Sequence, residues 1–541
     1  MASGILRKIR IIFASVILLS ITLVFLDFRH FIPESWINVI LWLQFVPSFL
    51  KFINLPSLVA AGFFIVLALT VFTGRSYCSI LCPLGIFQDI VSRIGGKIKR
   101  GNRRFRYELP YNILRYSLLG VTMIVMLTGT LFLLTLLDPY SIFGRLMTYF
   151  GKPLLIQFNN ALAAGFSKLD IYTIYKVQLK GIHAAAYALP VLFLVLVGYL
   201  SFKRGRLYCN TVCPVGTFLG FISKVSIFRI RIDSTSCTRC GRCSLACKAS
   251  CIDFLNESVD VSRCVTCFNC IDSCNDNAIS FSFKNGALQK SKEENVDKGK
   301  RNFILNTLAL TASFAGVANG QDVPVPKQDV PDLKQDVTAP KKDVPVPKKE
   351  STVPEDKTSP VSPPGGISID HFNDYCTACS LCVGACPTSV LRPSFRQYGL
   401  MGIMQPVMDY HKGFCNFECT VCIDVCPSGA LLPLVLEAKK LTQLGKAKFI
   451  KKNCIVETER TDCGACSEHC PTKAVKMVPL EGNLVIPEVE EDICVGCGAC
   501  EYACPTKPYK AIFVDGNPIH LDAKKPKEEA SKLKELEEFP F

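Results

Sequence analysis

The sequence predicts a multi-domain protein. An α-helical membrane bundle of four helices plus a fifth span is combined with small, cysteine-held α+β modules on both sides of the bilayer. Three observations carry that expectation. The 541 residues include 29 cysteines, most of them in short regular spacings. Half of the chain is hydrophobic, at 49%, and its mean hydropathy is positive. Apolar runs of near-membrane length crowd into the first 230 residues, and the dense cysteine motifs come after them.

The stretch from Cys237 to Cys274 fixes the chemistry. It reads Cys237-x2-Cys240-x2-Cys243-x3-Cys247, then Cys264-x2-Cys267-x2-Cys270-x3-Cys274. Three thiolates two residues apart wrap one corner of a cubane, and the next turn carries the fourth Cys away. In two-cluster bacterial ferredoxins that fourth Cys ligates the other cluster. One [4Fe-4S] cluster is therefore assigned to Cys237, Cys240, Cys243 and Cys274, and a second to Cys264, Cys267, Cys270 and Cys247. Zinc is the competing reading, but paired CxxC motifs give it four ligands per ion, whereas each run here supplies four by itself. Lys248 and Asn275 stand where such ferredoxins usually carry proline. Cys251 is left over, as a structural or free thiol.

Bulk properties exclude other classes. Regular cysteine spacing in a long chain does not read as a disulfide scaffold. The formal charge of +15 fits positive-inside flanks of membrane helices, and no nucleic-acid motif contests that reading.

Residues 1–230 form the expected membrane domain. Arg7, Lys8 and Arg10 precede a first helix, Ile11–Phe28. Residues 34–54, aromatic and broken by Pro47, read as an interfacial segment. Further helices are expected at Leu58–Phe72, Ile113–Leu137 and Ala184–Phe202, each near the length a bilayer requires. Eight Lys and Arg in 74–112, and Lys203, Arg204 and Arg206 after the fourth helix, place the N-terminus and these loops in the cytoplasm. An internal repeat marks the same ends. Gly74-Arg75-x-Tyr77-Cys78-x3-Cys82-Pro83-x-Gly85-x-Phe87 returns as Gly205-Arg206-x-Tyr208-Cys209-x3-Cys213-Pro214-x-Gly216-x-Phe218. Cysteines at i and i+4 share a helix face, so Cys78, Cys82, Cys209 and Cys213 have the means to converge. A further metal or cluster, a redox dithiol, or plain packing all remain open for them.

Four helices, two CxxxCP motifs and a trailing two-cluster module resemble the NapH-type membrane ferredoxins, a group similar in turn to the membrane core of the nitrous-oxide reductase regulator. The likeness covers residues 1 to about 285. It implies a polyferredoxin fed by membrane quinol. Asp138 and His183, near the non-cytoplasmic helix ends, are candidate proton acceptors on that view, and capping residues on the plainer one.

Residues 231–285 make the cytoplasmic two-cluster domain. In 286–319, Lys298, Lys300 and Arg301 lead into a short apolar run, Phe303 to Ala318. This is a signal-like pattern, read as a fifth membrane or signal-like segment that exports the C-terminal half. Residues 320–365 are rich in Pro and Lys, with Asp322-Val323-Pro324-Val325-Pro326-Lys327 echoed at 343–348. Such a tract favours extended polyproline II and buries no core.

Residues 366–541 carry four more motifs and are expected outside the inner membrane. Exchanging fourth ligands as before gives Cys376, Cys379, Cys382 and Cys426; Cys415, Cys419, Cys422 and Cys386; Cys454, Cys463, Cys466 and Cys504; and Cys494, Cys497, Cys500 and Cys470. A cysteine-proline pair ends each motif. With Cys386-Pro387-Thr388 and Leu391-Arg392-Pro393-Ser394, this half resembles the NapG/MauM-type ferredoxins, so the chain looks like a fusion of the two partners of a quinol-oxidising pair. The resemblance implies six [4Fe-4S] clusters, quinol as electron donor, the quinone pool and a periplasmic reductase or cytochrome as partners, and inner-membrane location. His371, His411 and His469 lie beside cluster motifs, as tuning groups or as ordinary surface histidines. Catalytic residues cannot be named. A maturation or regulatory polyferredoxin is the alternative function.

Overall fold

In the computed structural model the described residues are 2–29, 31–57, 61–98, 105–170, 172–178, 184–283 and 353–525. Helix α1 (Ala2–Leu26) is followed by α2 (Glu34–Trp42) and α3 (Phe45–Asn54), which meet at a 105° bend. α4 (Gly62–Thr73) leads into the first repeat copy, α5 (Tyr77–Ile80) and α6 (Pro83–Ile98). Then come α7 (Asn112–Leu127), α8 (Phe132–Leu137), α9 (Pro139–Leu146) and α10 (Lys152–Phe166). Last in this half, α11 (Ala184–Arg204) enters the second copy, α12 (Leu207–Thr211) and α13 (Pro214–Ser223).

α1 buries Ala14, Ile21, Val24 and Phe25 while Ile5, Ile9, Ile12, Phe13, Val16, Leu19 and Leu23 face outward. α11 likewise exposes Val191, Leu192 and Val195. A helix apolar on every side needs an apolar surrounding, and α1 and α11 are long and apolar enough to cross a membrane. The bent pair α2–α3 makes a third crossing if it counts as one span.

The structure adds detail to the other expected elements. The segment 34–54 is a sharply bent helix pair. The second expected span is the 12-residue α4, which at 1.5 Å per residue covers only about 18 Å. The third is broken, because Gly129 adopts a left-handed φ of +84° between α7 and α8 and so ends the helical ladder. The fifth segment, His183, most of the Pro/Lys tract and the tail beyond residue 525 lie outside the described residues.

The first cysteine-rich module pairs β1 (Phe228–Ile232) with β4 (Ile279–Phe283), antiparallel, around α14 (Arg242–Ala246), the short hairpin β2 (Ile252–Asp253) and β3 (Ser258–Val259), and α15 (Asn269–Asp272). After the tract, α16 (Ile369–Tyr375), α17 (Leu381–Ala385), β5 (Leu391–Pro393), β6 (Pro406–Met408) and α18 (Val421–Asp424) form a second module. A third contains α19 (Leu436–Leu441), β7 (Thr442–Phe449), α20 (Ile455–Thr458), α21 (Ala465–Glu468), β8 (Val475–Pro479), β9 (Val485–Val489), α22 (Ala499–Ala503) and β10 (Ile512–Asp522). β7 pairs with β10 and β8 with β9. The C-terminal modules begin earlier than residue 366. The Thr358 N–H and hydroxyl both donate to the Asp515 carboxylate at 2.8 and 2.7 Å, and the Val353 N–H donates to Asn453 Oδ1 at 3.1 Å.

The two cysteine-rich halves meet opposite ends of the same helices. Near the start of α1, Arg7 pairs with Asp272 of α15. At its end, Phe25 and the Cys379 carbonyl close on Gly144, where an added Cβ would lie 2.6 and 2.5 Å from them. α11 runs the other way. Ala186 packs with Tyr149, Ala378 and Met404, and just beyond α11 the Arg206 N–H donates to the Lys248 carbonyl.

Candidate metal centres

The repeat folds as a pseudo-symmetric pair. In the second copy Cys213 is the N-cap of α13, with Pro214 opening the helix and the Gly216 N–H donating to Cys213 Sγ at 3.3 Å. Gly85 does the same for Cys82 Sγ at 3.4 Å in the first copy. Proline suits a first helical turn, whose N–H has no partner in any case. Each copy's arginine crosses to the other. Arg75 Nη2 donates to the Cys209 carbonyl at 3.0 Å, and Arg206 Nη1 donates to the Cys78 carbonyl. Glycine is required at 85 and 216, since a Cβ at either would collide with those same carbonyls. All four repeat thiols are buried.

Asp89, in α6, holds this junction to the first module. Arg206 grips it with two contacts of 2.9 and 2.8 Å, Lys248 Nζ lies 2.9 Å away, and Arg10 of α1 lies at 3.3 Å. Lys248, the residue in proline's usual place, thus ties the first module to the membrane helices. Sequence reasoning missed Asp89, Arg10 and the use of Lys248. A signal was available in the misfit between the two copies, because Gln88 and Asp89 stand opposite Leu219 and Gly220. At Gly220 the missing side chain leaves room for the Arg115 guanidinium.

The cysteines of the modules draw together in groups that the exchanged assignment can use. Cys237, Cys240, Cys243 and Cys274 line one small cavity, and Cys454, Cys463, Cys466 and Cys504 another. Cys247 stands with Cys264, Cys267 and Cys270; Cys426 with Cys376, Cys379 and Cys382. Cys386 stands with Cys415, Cys419 and Cys422, and Cys470 with Cys494, Cys497 and Cys500. None of the cysteines is in a disulfide. Four free thiols around a small apolar cavity are the donor set a cubane takes. Burial pushes the Cys466 thiol up to about 12, so loading a metal there releases protons.

The sets are connected. Thr266 of the first module donates to the Thr73 carbonyl at 3.0 Å. Cys267, Cys78, Cys82, Cys213 and Cys379 belong to one continuous buried cluster. Thr148, after α9, donates to the Ser380 carbonyl at 3.2 Å. Between the second and third modules, the Cys415 N–H donates to the Cys497 carbonyl at 2.9 Å.

Other candidates play structural parts. Asp138 is the N-cap of α9, accepting from the Ser141 N–H at 2.8 Å. His371 bridges the Gly366 carbonyl and Asn54 Oδ1, and His469 meets the Ala465 carbonyl of its own helix turn. His411, Glu355 and Glu501 are the one trio of ligating side chains that converges within 4.8 Å among the described residues. Lys357 Nζ already sits 2.6 Å from Glu501 and 3.3 Å from Glu355, so this is an ion-pair network. Burial alone would raise the Glu355 carboxyl, but His411, the Lys510 N–H and Lys357 hold it down to about 2. Cys251 lies 3.4 Å from Cys247. It occupies the packing place that Ala278, Val390, Ala430 and Ala474 take, four residues beyond the last cysteine of their motifs.

Comparison with known proteins agrees with this chemistry. A 4Fe-4S binding domain model matches residues 55–101 and 185–233, which are the two repeat copies, and a 4Fe-4S dicluster model matches 361–430 and 459–507. The chain is 23% identical over 201 residues to the putative electron transport protein YccM of Escherichia coli, covering 36% of this chain and 48% of that protein. It is 25% identical over 225 residues to the methylamine utilization ferredoxin-type protein MauN of Methylobacillus flagellatus (38% and 63%). To MauM of the same organism it is 30% identical over 141 residues (25% and 59%). The chain spans about half the length of the first curated relatives it matches. No solved structure matches. The chain thus carries segments similar to 4Fe-4S binding and dicluster domains, cysteines enough for multiple [4Fe-4S] clusters, and two helices long and apolar enough to cross a membrane.

Proposed function

We propose that this protein is a transmembrane electron conduit of the NapH plus NapG type. Six [4Fe-4S] clusters, on the exchanged cysteine sets above, pass electrons from membrane quinol to a soluble oxidoreductase or cytochrome outside the inner membrane. One observation carries the reading: the cysteine-rich halves seat on opposite ends of α1 and α11, with the repeat thiols between them. The centres then run in order from Cys240 through Cys267 to the repeat, and from Cys379 through Cys415 and Cys497 to Cys463. The chain's own residues hold the ligands in place and exclude water, while the clusters supply one-electron chemistry when bound.

Quinol entry is supported by a cavity of about 180 Å³ where the second module meets the helix ends, with a mixed lining in which Thr148, Lys152 and Gln178 stand beside apolar side chains. Phe28, Ile156, Tyr187 and Cys386 line it, so a lipid-borne ring there would lie against a cluster ligand. The four-span bundle with an exported C-terminal half belongs to the same proposal, and positive flanks on the first-module side support it. The test is anaerobic mixing of the purified protein with a soluble quinol analogue. Rapid bleaching of cluster absorbance is expected. Reduction by dithionite alone would defeat quinol entry and favour the maturation role.

A further inference from the structure

The repeat junction holds charge that does not balance. Arg10, Arg75, Arg206 and Lys248 are each at most 4% exposed, and Asp89 is the carboxylate around which Arg10, Arg206 and Lys248 gather. Arg75, fully buried, donates to the Asn210 side-chain oxygen, the Ser262 carbonyl and the Cys209 carbonyl, all of them neutral. Its guanidinium lies 3.8 Å from Cys78 Sγ. A buried cation without an anion costs several kcal/mol, and protonated thiols do not supply one.

We infer that Cys78, Cys82, Cys209 and Cys213 together ligate a seventh centre, an iron–sulfur cluster shared between the two repeat copies. Four thiolates outweigh the positive iron–sulfide core they bind, so such a centre is the anion this shell requires. Its sulfurs are already served by donors: Gly85 N–H to Cys82, Gly216 N–H to Cys213, and Gln88 Nε2 to Cys209 at 3.2 Å. No three of the four sulfurs come within 4.8 Å of one another. A single tetrahedral ion needs sulfurs about 3.8 Å apart, so a multi-iron core is the better match. The centre takes one electron from the cluster on one side and gives one to the cluster on the other, with no proton or group transferred. The inference rests on the conduit reading and supplies its middle.

The test is iron and acid-labile sulfide per full-length chain, purified anaerobically in detergent, with EPR-monitored redox titration. Wild type is expected to hold about 28 iron atoms, against about 24 for six cubanes alone; a gain of two would mark a smaller cluster on the same thiols. Cys82→Ser/Cys213→Ser, and separately Cys78→Ala/Cys209→Ala, are expected to lose that one centre while the other six keep their spectra, which serves as the fold control. Arg75→Gln is expected to retain the iron and to move the midpoint of that same centre, and no other, to more negative potential. Wild type at the six-cubane count, with no iron lost in either cysteine pair, overturns the inference. So does an unmoved midpoint in Arg75→Gln. Failure of the conduit reading shows separately, as no electron transfer between the two ends while the seventh centre is still counted.

Discussion

Asp89→Asn is the substitution that most sharply tests how the membrane helices hold the first module. Asparagine keeps the shape of the side chain and removes its charge. Arg206, Lys248 and Arg10 then lose the carboxylate they share at 2.8, 2.9 and 3.3 Å. All four side chains are nearly inaccessible, so solvent cannot replace it. Removing one partner of such a buried arrangement costs about 3–5 kcal/mol, roughly a 10²- to 5 × 10³-fold shift in the docked population. The assay is thermal loss of iron–sulfur absorbance in detergent, for Asp89→Asn, Lys248→Met and the double variant. The single Asp89 change is expected to lower the transition clearly. The double variant should lose less than the sum, because without Asp89 the Lys248 ammonium is itself a liability. As a control, Lys524→Ala breaks a pair that is 75% and 66% exposed, and no measurable change is expected. A wild-type transition in Asp89→Asn, or strictly additive effects, would refute the clamp.

Three further outcomes are expected. Gly144→Val puts carbon where the Cys379 carbonyl and Phe25 already sit 2.5 and 2.6 Å from a Cβ; quinol-driven reduction of the C-terminal clusters should slow while dithionite still reduces every centre. Cys376→Ser and Cys426→Ser should each remove the same cluster, so the double variant should lose about four iron atoms and not about eight, as counted by iron analysis. His520, whose Nε2 meets Ser362 Oγ at 2.8 Å, is pushed down to about 4 by burial. Because the folded value lies below the ordinary 6.5, its contribution is complete above pH 6.5 and is lost as pH falls toward 4, up to about 3 kcal/mol. His520→Gln should flatten that part of the pH dependence of thermal stability.

What the sequence disclosed was the local chemistry. Cysteine spacing within each motif reflects one short turn, so the motifs themselves were legible, while the exchange of fourth cysteines between motifs comes from the two-cluster ferredoxin pattern. The repeat was legible as a repeat, though not the fact that Pro83 and Pro214 open new helices after Cys82 and Cys213. Long-range placement was not. Arg10, Asp89 and Lys248 come from three distant stretches, and each looks ordinary alone: a flanking charge, an acid in a helix, a substitution for proline. Hydropathy likewise read through Gly129, because a left-handed turn changes backbone direction without changing how apolar the stretch is.

The central claim is that electrons cross from one cysteine-rich half to the other through this chain. Its most direct measurement uses the full-length protein in sealed liposomes that enclose ferricyanide, with a membrane-impermeant reductant added outside. The internal oxidant should be bleached at a rate that scales with protein, and Cys82→Ser/Cys213→Ser should slow it sharply. Reduction confined to clusters facing the reductant, with the enclosed ferricyanide untouched, would contradict the account.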